Sequence, residues 1–320
     1  DKVLISSSFG KQCAENTVFD KKDEATGKVV GTLKSEKPIE VLFEGYDTKI
    51  YDNKAPSEPR INDTLSKIDE AFCFLFVGHW LKGDFQQDRK NISGMIWTFL
   101  QAFKGKKNAP ALILKTSAGG TSLPDRDRIR KIIKDIRSRL DGRLPNIYLL
   151  HSDLTDKEMN ALYNHPKVKA HVSFTRGEGF GRPLLEATIS GKPMVVSAWS
   201  GHVDFLNKDM VNLIGGGLTN VHESAADEKF LLKEAQWFQI DYSVAGGTMK
   251  DMVKNYKPYL EKSRKHRQYT KDNFSFEKMQ GLLDTYLKEA DEAKVTPQQV
   301  GLQLPKLKKK TQSIELPKLK

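Results

Sequence analysis

Short apolar runs recur along the chain, and polar segments with apolar residues at helical spacing fill the gaps between them. VLISS, IEVLFEG, AFCFLFVG, ALILKT, NIYLL, VKAHVSF, PMVVSA and VNLI have the length and β-branched or aromatic content of buried strands. NISGMIWTFLQAFKG, RDRIRKIIKDIRSRL and DKEMNALYNH carry apolar residues three and four apart. This alternation predicts an α/β fold, a Rossmann-like doubly wound parallel sheet, compact from about Asp69 to Gly216. After Gly216 the pattern predicts helices over ADEKFLLKEAQWF, VAGGTMKDMVKNYKPYL and FSFEKMQGLLDTYLKEA.

One unit is punctuated sharply. VKAHVSF reads as a strand ending at Phe174, and RGEGFGRPLLEATISGKP follows it. Pro183 suits the start of a helix, where a missing N–H costs nothing, and Gly191 and Pro193 end that helix. PMVVSA then reads as the next strand, so the whole is a parallel crossover. No Ser, Thr, Asp or Asn stands just before Pro183 to cap the helix. Its first amides are therefore available to an anion such as a phosphate. Glu178 and Glu186, with seven residues between them, lie at the mouth of the turn and about one helical turn inside. Each can accept hydrogen bonds from a vicinal diol, one on a sugar and one on a ribose. Read by themselves, these residues also fit a plain glycine turn with two solvated glutamates.

Composition narrows the class. Hydrophobic residues make up 38% of 320, no run of about 18 apolar residues occurs, and no charged-then-apolar leader opens the chain. A cytoplasmic protein is expected. Cys13 and Cys73 make no disulfide framework, and neither CxxC nor HExxH is present, so no metal is expected. Cys73 reads as a small buried hydrophobe. The net charge of +11 favours anionic partners. Residues 291–320 hold seven lysines against three acids and repeat LPKLK, which predicts a disordered basic tail or docking peptide able to take an anionic partner. The tail lacks the aromatics and arginines of a base-stacking surface, which weighs against nucleic acid.

RGEGFGRPLLEATISGKP resembles the EX7E signature of retaining glycosyltransferases of the GT-B fold, and WSGHVDFL after it resembles family 4. FLFVGHW with DRKN, LILKTS, NIYLLHSDLTDKEMNALY and VLFEGYDTKIY follow the same family order, so the resemblance runs from about Val41 to Leu206. It implies a hexosyl- or pentosyltransferase using a UDP-, GDP- or ADP-sugar without a metal cofactor. By this resemblance Glu178 contacts the donor sugar and Lys90 neutralises the leaving diphosphate. Glu186 holds the ribose, and Gly179, Phe180 and Gly181 offer backbone N–H groups. Arg89 corresponds only by proximity, because His79 occupies the family's arginine position and WLKGDFQQD is inserted before Lys90. Lys115 is a candidate phosphate or base contact, His151 lies near the expected base position, and His202 reads as a loop histidine beside the cleft. The implied reaction is front-face transfer, in which a phosphate oxygen takes the acceptor's proton.

The resemblance divides the chain into a remnant of an acceptor-side domain with its linker (1–60), a Rossmann-like nucleotide-sugar domain (61–216), C-terminal helices (217–290) and the tail (291–320). DKVLISSSFGKQCAEN resembles only the last strand and helix of a GT-B first domain. The acceptor half is thus expected from an N-terminal domain or a partner chain. The rival expectation is a nucleotide-sugar-binding or scaffold subunit inactive without one. Nucleic-acid modification rests on charge alone.

Overall fold

The computed structural model describes residues 2–54, 58–227 and 231–292; the tail with its LPKLK repeat lies outside them. The N-terminal part holds β1 (Val3–Ile5), α1 (Ser8–Asn16), an antiparallel hairpin of β2 (Val18–Lys22) and β3 (Val29–Lys34), then β4 (Ile39–Val41) and α2 (Pro59–Ser66). Strand β4 returns parallel to β1. The central part alternates: β5 (Cys73–Val77), α3 (Ile92–Phe103), β6 (Ala111–Lys115), α4 (Leu123–Arg137), β7 (Ile147–Leu150), α5 (Asp156–Asn164), β8 (Val168–Ser173), α6 (Arg182–Ile189), β9 (Met194–Ser197) and β10 (Asn212–Ile214). Finally come β11 (Gly216–Asn220), β12 (Gln236–Ile240), α7 (Tyr242–Lys254), α8 (Tyr256–Asn273) and α9 (Phe276–Glu292).

Strands β5 to β10 form one parallel sheet in the order β10-β9-β8-β5-β6-β7. The doubly wound expectation holds. Alternation within β5 sends Phe74 and Phe76 to one face and Cys73 and Leu75 to the other. The first face packs against α3, α4 and α7 through Ile92, Met95, Phe99, Ile133 and Met249. The second packs against α2, α5 and α6 through Ile61, Leu65, Leu162, Leu185 and Ile189. Burial pushes the Cys73 thiol up to about 12, so it behaves as a small core hydrophobe. Chain order reverses between β5 and β8, the two central strands. Their following loops diverge to opposite faces and open a crevice at the carboxyl ends.

Beyond Gly216 the expected run of helices is corrected. Residues 231–240 do not continue a helix; β12 pairs antiparallel with β11 instead, and Trp237 and Phe238 bury themselves against the rest of the protein. The helix expected over VAGGTMKDMVKNYKPYL is two helices, parted at Asn255 (φ −121°, ψ 48°). Pro258 explains the break: it has no N–H for the Lys254 carbonyl, so the chain restarts with proline in a first turn. The hairpin β2–β3, which carries no period-2 signal, is exposed at every position.

Helix α9 runs back to the N-terminal part. Tyr46 N donates to Phe274 O at 3.2 Å, Phe276 N donates to Tyr46 O at 2.9 Å, and Tyr286 Oη donates to Val41 O at 3.0 Å. A Cβ at Gly45 would lie 2.6 Å from Phe276 Cα, whereas one at Gly281, on α9, meets nothing. Gly45→Ala is therefore expected to cost about 1–3 kcal/mol and to speed amide exchange across α9. Gly281→Ala should be neutral or stabilising by up to about 1 kcal/mol. Unfolding melts with hydrogen exchange check both; unchanged exchange in Gly45→Ala would refute the docking.

Candidate functional site

The loops after β5 and β8 meet across the crevice. Lys90 stands just before α3 and Glu178 in the turn before α6, and Lys90 Nζ donates to Glu178 Oε1 at 2.5 Å. Arg89 Nη1 donates to Gly177 O at 2.8 Å and lies 3.7 Å from Glu178 Oε2. The side chains of Lys90 and Glu178 are 12% and 9% exposed, so this pair is largely withdrawn from water. Burial opposes ionisation of Glu178, but Lys90 and Arg89 outweigh it and hold the carboxyl below its ordinary range. Burial also draws the Lys90 ammonium down, against the pull of Glu178.

Backbone contacts fix this turn. Glu178 N donates to Ser200 Oγ at 2.8 Å, and Gly201 N donates to Glu178 O at 3.0 Å. Ser200 adopts φ 78°, a left-handed conformation that non-glycine residues seldom take without compensation. Gly201 must be glycine, since a Cβ there would stand 2.0 Å from Gly179 O. That carbonyl also accepts Ser7 Oγ at 2.5 Å, which ties the start of α1 to the turn.

Gly181 (φ 100°) begins α6, and no side chain caps the helix. The amides of Leu184 and Leu185 both turn back to Gly181 O. Phe180 is buried against Phe205, ring centroids 4.9 Å apart, so only its backbone faces the turn. Glu186 sits on the inner side of α6, 8% exposed. Its Oε1 accepts Arg182 Nε at 3.2 Å and its Oε2 accepts Tyr163 Oη at 3.3 Å. Burial pushes its carboxyl up to about 7, although Arg182, Tyr51 and Tyr163 favour the charged form.

Lys115 is not brought into this group. It ends β6, two strands from β8 and so roughly 10 Å across the sheet; half-burial lowers its pKa and Asp153 partly restores it. His151 is held elsewhere, Nε2 2.9 Å from Asp125 Oδ2. His202 is fully buried behind the turn with Nε2 2.7 Å from Ser197 O, and its Nδ1 has no hydrogen-bond partner. Among the described residues, no three His, Cys, Asp or Glu converge as metal ligands.

Sequence reasoning passed over Arg176. Its side chain is wholly buried; Nη2 donates to Gln86 O at 2.5 Å and the guanidinium lies 4.7 Å from the Trp237 ring centroid. Its own amide donates to Arg89 O at 2.9 Å, and its carbonyl accepts Phe238 N at 3.0 Å. Arg176 thus fastens the Lys90 loop and β12 to the end of β8. The available signal was a cation placed within three residues of the end of a buried strand, where an uncompensated charge is costly.

No family model and no curated protein matches the chain. Among solved structures, 254 chains match. A sucrose-phosphate synthase from Thermosynechococcus elongatus aligns with TM-score 0.60 and 14% identity, over 92% of this chain and 59% of that one. A glycosyltransferase from Rickettsia africae gives 0.57 and 13%, over 92% and 64%. Anabaena Alr3699/HepE, solved in complex with UDP and glucose, gives 0.55 and 13%, over 90% and 63%. The chain therefore spans about three fifths of the length of these structures. At such identities the likeness is one of fold: α/β and Rossmann-like, of the kind found in GT-B glycosyltransferases.

The raised pKa of Glu186 has a consequence for stability. The folded value, about 7, lies above the ordinary 4.5 of a glutamate, so the folded protein holds the proton more tightly. The resulting stabilisation, about 3 kcal/mol, is complete below about pH 4.5 and is lost as pH rises through about 7. Glu186→Gln should accordingly melt higher than the parent at pH 8, with the gap closing by pH 5. A gap independent of pH would contradict the assignment.

Proposed function

We propose that this chain binds a nucleoside-diphosphate sugar at the turn between β8 and α6 and serves in retaining glycosyl transfer. The observation that carries the reading is the Lys90–Glu178 pair beside the uncapped start of α6, with Glu186 one turn inside the helix. The diphosphate would lie against the amides of Gly179, Phe180, Gly181 and Arg182, where the helix end favours negative charge. Lys90, with Arg89 beside it, would neutralise charge as the diphosphate leaves, so that no metal is required for that task. Glu178 would hold the sugar hydroxyls close to the reacting carbon, and Glu186 the ribose diol. Lys115 and His151 have no assigned contact in this reading. The acceptor hydroxyl would attack from the face that the diphosphate leaves, and a phosphate oxygen would take its proton. The donor is a UDP-, GDP- or ADP-sugar, and the transferase would be of the family 4 type.

A second reading is favoured by the three-fifths coverage of the matching structures. In it the chain is a donor-binding subunit, and transfer needs an acceptor-side domain or a partner chain to form the other wall of the cleft. Positioning of two reactants can account for roughly 7–11 kcal/mol of barrier at best, so a donor without a positioned acceptor transfers negligibly.

Calorimetric titration with UDP, GDP and ADP in EDTA tests the proposal. One of the three should bind, and Glu186→Ala should weaken it about 10- to 150-fold, the equivalent of losing roughly 1.5–3 kcal/mol of hydrogen bonding to a charged group. Glu178→Ala should leave nucleotide affinity within a few-fold and abolish sugar transfer when an acceptor-side domain is supplied. Binding that disappears in EDTA, or equal losses from both changes, would refute the assignment.

A further inference from the structure

Strand β7 is the edge of the six-stranded sheet, paired only with β6. Because Leu112 N donates to Asn146 O, ladder alternation turns Asn146, Tyr148 and Leu150 inward and leaves the backbone groups of Ile147 and Leu149 facing out. All four strand residues are only half-buried, and none is a lysine or proline of the kind that blunts an edge. Beside this edge runs a cavity of about 500 Å³ whose other wall is α4. Ile133 joins β7 in its apolar floor, and Arg126, Arg130, Lys134 and Arg137 line its rim. These four recur at intervals of four, four and three, so they share one side of the helix. Opposing charge is sparse: Asp127 lies 3.2 Å from Arg126 and 4.0 Å from Arg130, and Arg137 donates to Pro145 O at 2.7 Å.

We propose that this groove docks an extended acidic peptide from a partner protein, which pairs with the outer edge of β7 and sets its carboxylates against the cationic side of α4. The outward N–H and C=O groups call for another polypeptide backbone, which neither a duplex nor a lipid surface offers. The row of cations selects acidic side chains on that strand, and the apolar floor takes the side chains between them. The surface belongs to the sheet edge and does not depend on the donor-site reading.

Fluorescence anisotropy on the full chain tests this with a ten-residue labelled peptide of alternating Glu and Val. It should bind at least tenfold tighter than its Gln–Val and Lys–Val counterparts. Arg130→Glu combined with Lys134→Glu should remove at least tenfold of that affinity with an unchanged melting temperature. N-methylation of alternate peptide amides should abolish binding while leaving every charge in place. Equal binding of the N-methylated peptide would overturn strand pairing. Displacement of the acidic peptide by phosphatidylserine vesicles or a 20-base-pair duplex, with the same sensitivity to charge reversal, would overturn the choice of partner.

Discussion

The buried contact between Lys90 and Glu178 is the constraint around which the rest of the crevice is arranged. Withdrawing two charges from water costs several kcal/mol for each ion, and mutual attraction offsets this only when geometry is tight and neighbouring groups are satisfied. The protein meets that condition with topology. Lys90 follows β5, Glu178 follows β8, and these two strands are neighbours although about ninety residues part them in sequence. Local devices then hold each partner in place. Ser200 and Gly201 take both backbone groups of Glu178, and Arg176 ties the Lys90 loop to the same strand end.

Such a pair has more cation than its carboxylate can satisfy. Arg89 lies 3.7 Å from Glu178, and α6 adds the partial positive charge of an uncapped end. On the proposed reading, a diphosphate arriving there would share Lys90 with Glu178. Glu186 differs in kind: it is buried against two tyrosines with the exposed Arg182 as its paired cation, and burial outweighs that pairing. Two carboxylates eight residues apart thus have opposite electrostatic settings. One is held ionised by cations and the other is held partly protonated by burial.

The central sheet was legible because its strands are buried on both faces and read as continuous apolar runs, as in AFCFLFVG and VKAHVSF. The turn at Glu178 was legible because glycine, proline and the missing cap coincide. Hairpin β2–β3 was not, since Val18, Phe19, Val30 and Leu33 are exposed and no face is selected by burial. Segment 226–238 has the composition of a helix, but Trp237 and Phe238 gain more by burial in β12, beside the Arg176 guanidinium and against Trp199. Arg176 itself carries no local pattern; its role depends on Gln86 and Phe238, about ninety residues before and sixty after it. Tyr51 and Tyr163 likewise reach Glu186 only through the packing of three separate segments.

If Lys90 is the cation that a diphosphate takes over, then its present partner competes with that ligand. Calorimetric affinity for the nucleoside diphosphate across a double-mutant cycle of Lys90→Met and Glu178→Gln measures this directly. The account predicts at least a tenfold loss for Lys90→Met, an affinity equal to or tighter than the parent for Glu178→Gln, and a double variant as weak as Lys90→Met alone. A Glu178→Gln variant as weak as Lys90→Met, or a Lys90→Met variant of undiminished affinity, would contradict it.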